Sequence, residues 1–260
     1  MNYNILQQNK SEYSGFYEPN RIFTKGQDLQ YLVDRFKNKK NNRLLDIATG
    51  EGTVANTLAP FFKEVIGVDL DQAILEKSKK LIESNKHRNV SFVVGNAESL
   101  LFEEDSFDTV ICRYAANSLK NPSHFLREAQ RVLKEKGLFI LIEDVSPENK
   151  HHDKFYNYIE KKKNPSHHCT LRKNNWVSLL ENSGLRMQSC LIFERQYNFN
   201  DWCNMMKISK KVRIMLTNYI LLTSQEMQGF FNIEIKNQKI QSFSIETIVF
   251  VCYKANKFKQ

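Results

Sequence analysis

Short apolar segments alternate with helical patterns between residues 43 and 142, and this alternation constrains the fold more than any other feature. The segments predict strands at 43–47, 64–68, 90–94, 107–112 and 138–142, and the intervening patterns predict helices at 53–61, 71–85 and 121–133. Strands that are apolar throughout are typical of a parallel sheet covered on both faces. Right-handed crossovers then place the carboxyl ends of the strands, and the ligand crevice, along one edge. The sequence therefore predicts a doubly wound α/β fold.

The second half of the chain has a different pattern. Residues 146–185 are polar and rich in aromatic side chains, residues 199–230 predict two further helices, and strands are expected at 187–193 and 245–253. No internal repeat or Gly/Ser-rich linker divides the chain. We therefore expect one domain over residues 1–260, with an N-terminal helical segment (1–42), a ligand-binding core (43–145) and two insertions (146–185 and 199–243) that cap the crevice.

Composition narrows the class of protein. Hydrophobic residues make up 41% of the chain, which is enough for a sizeable core. No apolar run approaches the roughly 20 residues that a membrane span needs, and the polar start of the sequence lacks a signal peptide. The five cysteines are scattered without a CxxC, so neither a disulfide framework nor a metal site is indicated. We expect a cytoplasmic protein without a bound metal.

The net charge of +9 arises in the second half. Residues 1–150 hold 21 basic and 21 acidic residues, whereas residues 151–260 hold 17 basic and 8 acidic ones. A basic half can attract an acidic substrate, nucleic acid or a membrane surface. The runs Lys161-Lys162-Lys163 and Lys210-Lys211 lack the interleaved aromatic residues of a base-stacking platform. Because Lys and Asn are both abundant in the chain, we interpret the excess positive charge as a compositional bias. Nucleic acid is therefore not the expected partner.

A glycine-rich loop follows the first predicted strand. The strand ends at Asp46 and continues as Ala48-Thr49-Gly50-Glu51-Gly52 before a helix begins. Glycines allow a sharp turn and a close ligand, and the helix N-terminus offers unpaired N–H groups. The dinucleotide fingerprint needs G-x-G-x-x-G, but this chain has Ala48 and Thr53 around Gly50. The carboxylates of Asp46 and Glu51 would repel a pyrophosphate and attract an ammonium or sulfonium, and S-adenosylmethionine (SAM) carries both cations.

Two further residues indicate a nucleoside. Asp69 ends the second predicted strand, where a carboxylate can accept both ribose hydroxyls. Asn96 follows the third strand, where its amide can pair with adenine. The alternatives are a helix cap at Asp69 and a simple turn at Asn96.

These residues resemble a known family. The stretch from Leu44 to Glu148 is similar to class I SAM-dependent methyltransferases, in particular the menaquinone/ubiquinone-biosynthesis group. The resemblance rests on the segments Leu45–Gly52, Val65–Leu70, Gly95–Leu100, Ser106–Asp108, Cys112–Ala116, Phe125–Glu128, Arg131–Lys134 and Gly137. It implies a Rossmann-like, seven-stranded sheet with an antiparallel last strand, in which 187–193 and 245–253 are strands six and seven.

The resemblance also implies roles for individual residues. Asp46 and Gly50 would lie beside the methionine part of SAM, with Ala48 and Gly52 in the same loop. Asp69 and Leu70 would contact ribose and adenine, Asn96, Ala97 and Glu98 would lie at the adenine, and Arg113 would line the cofactor site. The family usually has Asp at the position where this chain has Asn96. A subset has a His pair where this chain has Asn117-Ser118, and Asn164-Pro165-Ser166-His167 resembles a Pro-Ser-His segment of that subset.

Methyl transfer requires that donor and acceptor be positioned in line and shielded from water. A base is needed only if the acceptor loses a proton. We predict His167 and Asn117 as catalytic candidates, with an exposed-loop role as the alternative for His167. Other polar candidates follow strands four and five or flank the first insertion: Tyr114, Glu143, Asp144, His151, His152 and His168.

The sequence thus predicts methyl transfer from SAM to a small-molecule acceptor, with S-adenosylhomocysteine as the product. The acceptor could be aromatic, quinone-like or a natural product, because the insertions are rich in aromatic residues. Three alternatives stay open: a nucleic-acid methyltransferase, a SAM-binding protein that does not methylate, and a dinucleotide oxidoreductase. The sequence does not specify the acceptor atom or the oligomeric state.

Overall fold

The computed structural model describes residues 5–6, 26–39, 41–165 and 167–255. Residues 7–25 of the predicted N-terminal segment and Ser166 of the Pro-Ser-His segment lie outside the described residues. The described helices are α1 (Gln27–Phe36), α2 (Thr53–Leu58), α3 (Gln72–Ser84), α4 (Pro122–Val132), α5 (Lys150–Lys163), α6 (Lys173–Asn182), α7 (Phe199–Met205), α8 (Lys210–Leu221) and α9 (Gln225–Phe230). The strands are β1 (Ile5–Leu6), β2 (Asn41–Ile47), β3 (Phe62–Asp69), β4 (Val90–Val94), β5 (Phe107–Arg113), β6 (Leu133–Asp144), β7 (Leu185–Asn198), β8 (Glu234–Lys236) and β9 (Lys239–Lys254).

All of these strands belong to one sheet, in the order β1-β7-β9-β6-β5-β2-β3-β4, with β8 paired to β9. Strands β2 to β6 run parallel to one another. The last strand, β9, lies between β6 and β7 and is antiparallel to both. The predicted seven-stranded sheet with an antiparallel last strand is confirmed, and the short strands β1 and β8 are additions to it.

Helices cover both faces of the sheet because neighbouring strand residues point to opposite sides. Leu44 packs in a core with α1 and α2, whereas Leu45 packs in a second core with α4 and α6. Buried residues of β5, β6 and β9 divide between the two cores in the same way. The strands are apolar throughout because both of their faces are buried.

Side chains cap the starts of two of the predicted helices. The carboxylate of Asp71 accepts hydrogen bonds from the backbone N–H groups of Ala73 and Ile74 at the start of α3. The amide oxygen of Asn121 accepts from the N–H of His124, and Pro122 occupies the first turn of α4, where no N–H is required. These caps orient the helices that follow the carboxyl edge of the sheet.

A third cluster of buried residues lies outside the two sheet cores. It packs helices α5, α7, α8 and α9 against one end of β7 and β9, which includes Tyr197, Ile240 and Ile245. We call this layer the cap. Residues 199–230 form three helices where two were predicted, because Ser224 starts a separate short helix with its side-chain cap.

The first predicted insertion contributes to two layers. Helix α5 belongs to the cap, but Trp176 and Leu180 of α6 are fully buried against the sheet. Their four-residue spacing places both side chains on one side of α6. The cap therefore consists of α5 and α7–α9, while α6 completes the covering of the sheet.

Two further observations concern the described residues alone. None of their helices is both long enough and apolar enough to cross a membrane. Nor do their His, Cys, Asp and Glu side chains gather into a group that could hold a metal ion.

Candidate active site

The glycine-rich loop turns sharply at the end of β2. Ala48, Gly50 and Gly52 all have positive φ, at +54°, +56° and +78°. A Cβ added at Gly50 would meet no atom within 4 Å, so this side of the loop is open. A Cβ added at Gly52 would lie 3.1 Å from the Cβ of Ser78, so this glycine lets α3 pack against the loop. Only Gly50 therefore combines the left-handed backbone with space for a close ligand.

Asp46 lies buried beneath this loop. Its Oδ2 accepts hydrogen bonds from Thr49 Oγ1 at 2.6 Å and from the Ala55 N–H at 3.2 Å. Burial raises the pKa of this carboxyl from 3.8 to about 7, because the low-dielectric interior disfavours the charged form. The second loop carboxylate, Glu51, is exposed and lies 3.8 Å from Lys77 Nζ. Asp46 is therefore the buried carboxylate of the loop, and Glu51 is the exposed one.

Asp69 ties the end of β3 to the loop. Its Oδ2 accepts a hydrogen bond from the Gly50 N–H at 2.9 Å, and its Oδ1 accepts from the Asp71 N–H at 3.1 Å. A carboxylate has about four lone-pair sites, so each oxygen keeps one for a ligand hydroxyl. The neighbouring Leu70 is 66% exposed.

The turn after β4 lies next to Asp69. The Gly95 N–H donates to the Asp69 carbonyl at 3.0 Å, and Asn96 Oδ1 accepts from the Glu98 N–H at 2.9 Å. Glu98 Oε1 accepts from the Asn121 N–H, and Ala97 packs its methyl group into a sheet core. The residues predicted to contact ribose and adenine therefore lie at one edge, but Glu98 and Ala97 also support the fold.

Arg113, at the end of β5, makes a buried ion pair that the sequence analysis did not predict. Its Nε donates to Asp28 Oδ2 of α1 at 2.6 Å, and both side chains are almost fully buried. Burial acts to raise the pKa of Asp28, but the charge of Arg113 and its hydrogen bond bring that pKa below 3.8. The guanidinium also lies 4.6 Å from the ring centre of Tyr114. Arg113 thus anchors α1 to the carboxyl edge of the sheet.

A cleft of about 630 Å³ opens between the loop and the cap. The sheet side contributes Asp46, Ala48, Gly50 and Arg113, together with Asn117 and Glu143. The cap side contributes Tyr156, Glu160 and Lys163 of α5, as well as Met206 and His167. Both predicted catalytic candidates and four predicted cofactor residues therefore line one cleft.

Asn117 connects three segments of the cleft wall. Its Nδ2 donates to Glu143 Oε2 at 2.9 Å and to the Asp144 carbonyl at 2.8 Å, and its Oδ1 accepts from the Leu171 N–H at 3.3 Å. Burial, and then the neighbouring Asp144, raise the pKa of Glu143 to about 8. These contacts favour a positioning role for Asn117, because its amide is fully engaged with the protein.

His167 is buried in the opposite wall. One ring nitrogen, Nε2, lies 3.1 Å from Thr170 Oγ1. Burial, followed by the charges of Lys163 and Lys161, lowers the pKa of His167 to about 4. The imidazole is therefore neutral near pH 7. Of the other candidate histidines, His151 and His168 are exposed, and His152 packs against Phe230 with ring centres 4.1 Å apart.

A narrow aromatic pocket adjoins the cleft inside the cap. The two spaces share Asp144, Tyr156, Glu160, Lys163 and Met206. Seven of the fifteen residues that line the pocket are aromatic: Phe155, Tyr156, Tyr197, Phe199, Trp202, Phe231 and Phe243. Its interior volume of about 30 Å³ is comparable to the space that one or two water molecules need. The cleft and the aromatic pocket are therefore adjacent, and the shared side chains form their boundary.

The structure adds Glu160 and Lys163 to the predicted site. They form an ion pair of 2.5 Å at the boundary between cleft and pocket, and both are largely buried. Local sequence could have indicated that Glu160 and Lys163 lie on the same side of a helix as Tyr156, since residues three and four apart are neighbours on a helix. The burial of this pair depends on α7, which packs opposite, and this contact could not be derived from local sequence.

Comparisons with known proteins identify the family. Residues 38–184 match the family model described as a methyltransferase domain. The uncharacterized methyltransferase YcgJ of Bacillus subtilis is 31% identical over 192 residues, which cover 74% of this chain and 76% of that protein. A demethylmenaquinone methyltransferase of Thermotoga maritima is 32% identical over 137 residues, 50% of this chain and 57% of its own length.

Solved structures agree with this assignment. A protein of Bacillus halodurans C-125 that is provisionally named a methyltransferase has a TM-score of 0.85 and 37% identity, over 89% of this chain and 100% of its own. The YcgJ structure has a TM-score of 0.83 and 28% identity, over 88% of this chain and 98% of its own. Taken with the loop at the carboxyl edge of the sheet, these matches show that the chain belongs to the methyltransferase-domain family and is a SAM-dependent methyltransferase similar to the ubiquinone/menaquinone-biosynthesis enzymes.

Proposed function

We propose that the protein transfers the methyl group of SAM to a small-molecule acceptor with an apolar, planar body. The observation that carries this proposal is that the aromatic pocket adjoins the cleft, with Tyr156, Glu160 and Lys163 at their boundary. The cleft of about 630 Å³ has room for a cofactor and a second molecule, whereas the pocket of about 30 Å³ has room only for a small apolar group of that molecule. A quinone-like acceptor fits this chemistry, and the related Thermotoga protein is named for such a compound.

SAM would lie across the carboxyl ends of β2, β3 and β4. Its ammonium and sulfonium would face the Asp46 carboxylate, and its ribose hydroxyls would donate to the remaining lone pairs of Asp69. Asn96 would meet the adenine at the turn after β4. Gly50 would let the backbone approach the ligand, with Ala48 and Gly52 in the same turn, and Leu70, Ala97, Glu98 and Arg113 would complete the surrounding wall.

The protein's part in the reaction is mainly to position the two molecules. The sulfonium activates the methyl carbon, so the enzyme must hold the acceptor in line at about 3 Å and exclude water. Glu160 and Lys163 offer a polar pair to the acceptor at the boundary of the pocket. Neutral His167 would act there as a hydrogen-bond partner, since a pKa of about 4 makes it a weak base near pH 7.

Calorimetric titration with SAM and S-adenosylhomocysteine tests the cofactor half of this proposal. Asp69→Asn should weaken SAM binding about tenfold or more, because a charged hydrogen bond to a hydroxyl contributes about 1.5–3 kcal/mol. Glu51→Gln is the matched control, since Glu51 is an exposed carboxylate of the same loop. Equal losses in the two variants, or no binding to the unmodified protein, would contradict the assigned geometry.

The acceptor half is tested by measuring S-adenosylhomocysteine formed with a reduced naphthoquinone as the probe. Trp202→Ala should raise KM for this probe, because Trp202 supplies part of the pocket wall. Trp176→Phe serves as the control, because Trp176 is buried in a sheet core away from the pocket. A Trp202→Ala variant with unchanged KM would show that the probe does not occupy the pocket.

A further inference from the structure

The outer side of the cap exposes aliphatic side chains. Ile214 of α8 is 54% exposed, and Leu222, which caps the same helix, is 87% exposed. Tyr158 of α5 packs on the same helix: its hydroxyl is 4.0 Å from the sulfur of Met215, and its ring centre is 4.3 Å from that of Tyr219. Tyr158 therefore contacts α8 in the stretch between exposed Ile214 and Leu222. Contiguous exposed apolar surface is uncommon on soluble domains unless it meets a partner.

Cations flank these apolar groups. Lys210 and Lys211 are exposed on the first turn of α8, and Lys211 precedes Met215 by one helical turn. Lys162 lies 5.2 Å from the ring centre of Tyr158. We define the α5–α8 face as Tyr158, Lys162, Lys210, Lys211, Ile214 and Leu222.

Neither helix of this face adds an unpaired acidic side chain to it. The sequence has no Asp or Glu between Asp201 and Glu226, a stretch that includes the whole of α8. The two acidic residues of α5 are engaged elsewhere: Asp153 accepts from Ser146 Oγ, and Glu160 pairs with Lys163. The charge of the α5–α8 face is therefore entirely positive.

We propose that the α5–α8 face docks on the surface of an anionic lipid bilayer. Lysines attract anionic headgroups, while aliphatic and aromatic side chains of an amphipathic surface enter the boundary with the acyl chains. A nucleic acid would use the lysines but would gain little from exposed Ile214 and Leu222, so a lipid surface fits both features. The proposal is independent of the proposed acceptor, because it rests on the outer side of the cap alone.

Helix α5 connects this face to the cleft. Tyr156, Glu160 and Lys163 line the cleft, whereas Tyr158 and Lys162 point to the outer side of the same helix. A bilayer on the outer side would thus lie one helix away from the aromatic pocket. This arrangement suits an acceptor that partitions into lipid.

Co-sedimentation of the full chain with vesicles tests the proposal. The protein should pellet with phosphatidylcholine vesicles that contain about 30% phosphatidylglycerol, but not with phosphatidylcholine alone, because each basic side chain near the surface adds about fivefold to the partition coefficient. Binding should fall in about 0.5 M salt, where exposed charges are screened. Absence of binding to the anionic vesicles at low salt would overturn the proposal.

Two variants and two matched controls locate the surface. Lys210→Glu/Lys211→Glu should lower the partition coefficient about 25-fold or more, and Leu222→Ser should lower it about tenfold. The controls are Lys79→Glu/Lys80→Glu on α3 and Leu101→Ser. All three residues are exposed outside the cap, and Leu101 is 81% exposed. Equal losses in variants and controls would overturn the assignment of this face.

Folding and the competing partner are tested separately. The heat of SAM binding should be unchanged in all four proteins, which shows that any loss of vesicle binding is not a loss of fold.

A single-stranded RNA oligomer is the competing probe. If the face binds RNA at physiological salt and RNA displaces the protein from vesicles, the lipid proposal is overturned in favour of a nucleic-acid surface.

Discussion

Asp46 should make the binding of SAM depend on pH. Its pKa in the ligand-free protein is about 7 because the carboxyl is buried. A cationic ligand above the loop favours the ionised form, so binding must remove the proton from Asp46 in the fraction of molecules that carry it. The apparent affinity should therefore fall as the pH falls below 7.

The size of this effect follows from the protonated fraction. With a pKa of about 7, the apparent dissociation constant is about 2 times that of the protein with ionised Asp46 at pH 7, and about 30 times that value at pH 5.5. The dissociation constant therefore rises about fifteenfold between pH 7 and pH 5.5. The α-amino group of SAM stays mostly protonated in this range, because such groups titrate near pH 8. His167 stays neutral over the same range, since its pKa is about 4.

Calorimetry between pH 5.5 and pH 7 measures this dependence, and a second buffer with a different heat of ionisation counts the protons released. About half a proton should be released per SAM bound at pH 7. Asp46→Asn is the control variant, since an amide oxygen can still accept from Thr49 and Ala55 but does not titrate. An affinity that is constant over this range, or a slope that persists in Asp46→Asn, would refute the reasoning.

Two further predictions concern stability. Asp28→Ala should lower the free energy of unfolding by about 3 kcal/mol in urea denaturation, because Arg113 then loses its buried partner; Asp34→Ala on the same helix, which removes only an exposed pair, should cost far less. The free energy of unfolding should also fall as the pH rises from about 5 to about 8, since the raised pKa values of Asp46 and Glu143 mean that the folded chain holds protons that the unfolded chain has released. An Asp46→Asn/Glu143→Gln variant should flatten this slope, and an unchanged slope would assign it to other groups.

Local sequence was sufficient to predict most of the sheet. The strand at 90–94 was predicted with its observed bounds, and the predicted helix starts at 71 and 121 lie one residue before those of α3 and α4. These features depend on neighbouring residues, through strand periodicity and side-chain hydrogen bonds to nearby N–H groups. The placement of Asp46, Gly50 and Asp69 at one edge followed from the same parallel topology.

Features that depend on distant contacts were not predicted. Asp28 lies beside apolar Leu29, and nothing local shows that it pairs with Arg113, 85 residues away. Glu160 and Lys163 reach the cleft because the cap helices fold over the sheet. The low pKa of His167 likewise depends on burial and on the lysines of α5, so the sequence could name this residue but not its protonation state.

Strand β9 limits how the cleft can open. Its residues 239–245 pack in the cap, while its residues 248–252 pack in the two sheet cores, and it pairs with β7 along both parts. A rigid rotation of the cap about a hinge would have to break this continuous ladder. Opening should instead come from local displacement of α5 and α7–α9 against a fixed strand, a shear-like motion of packed helices. An acceptor would then enter between helices, and its size would be limited by how far single helices can slide.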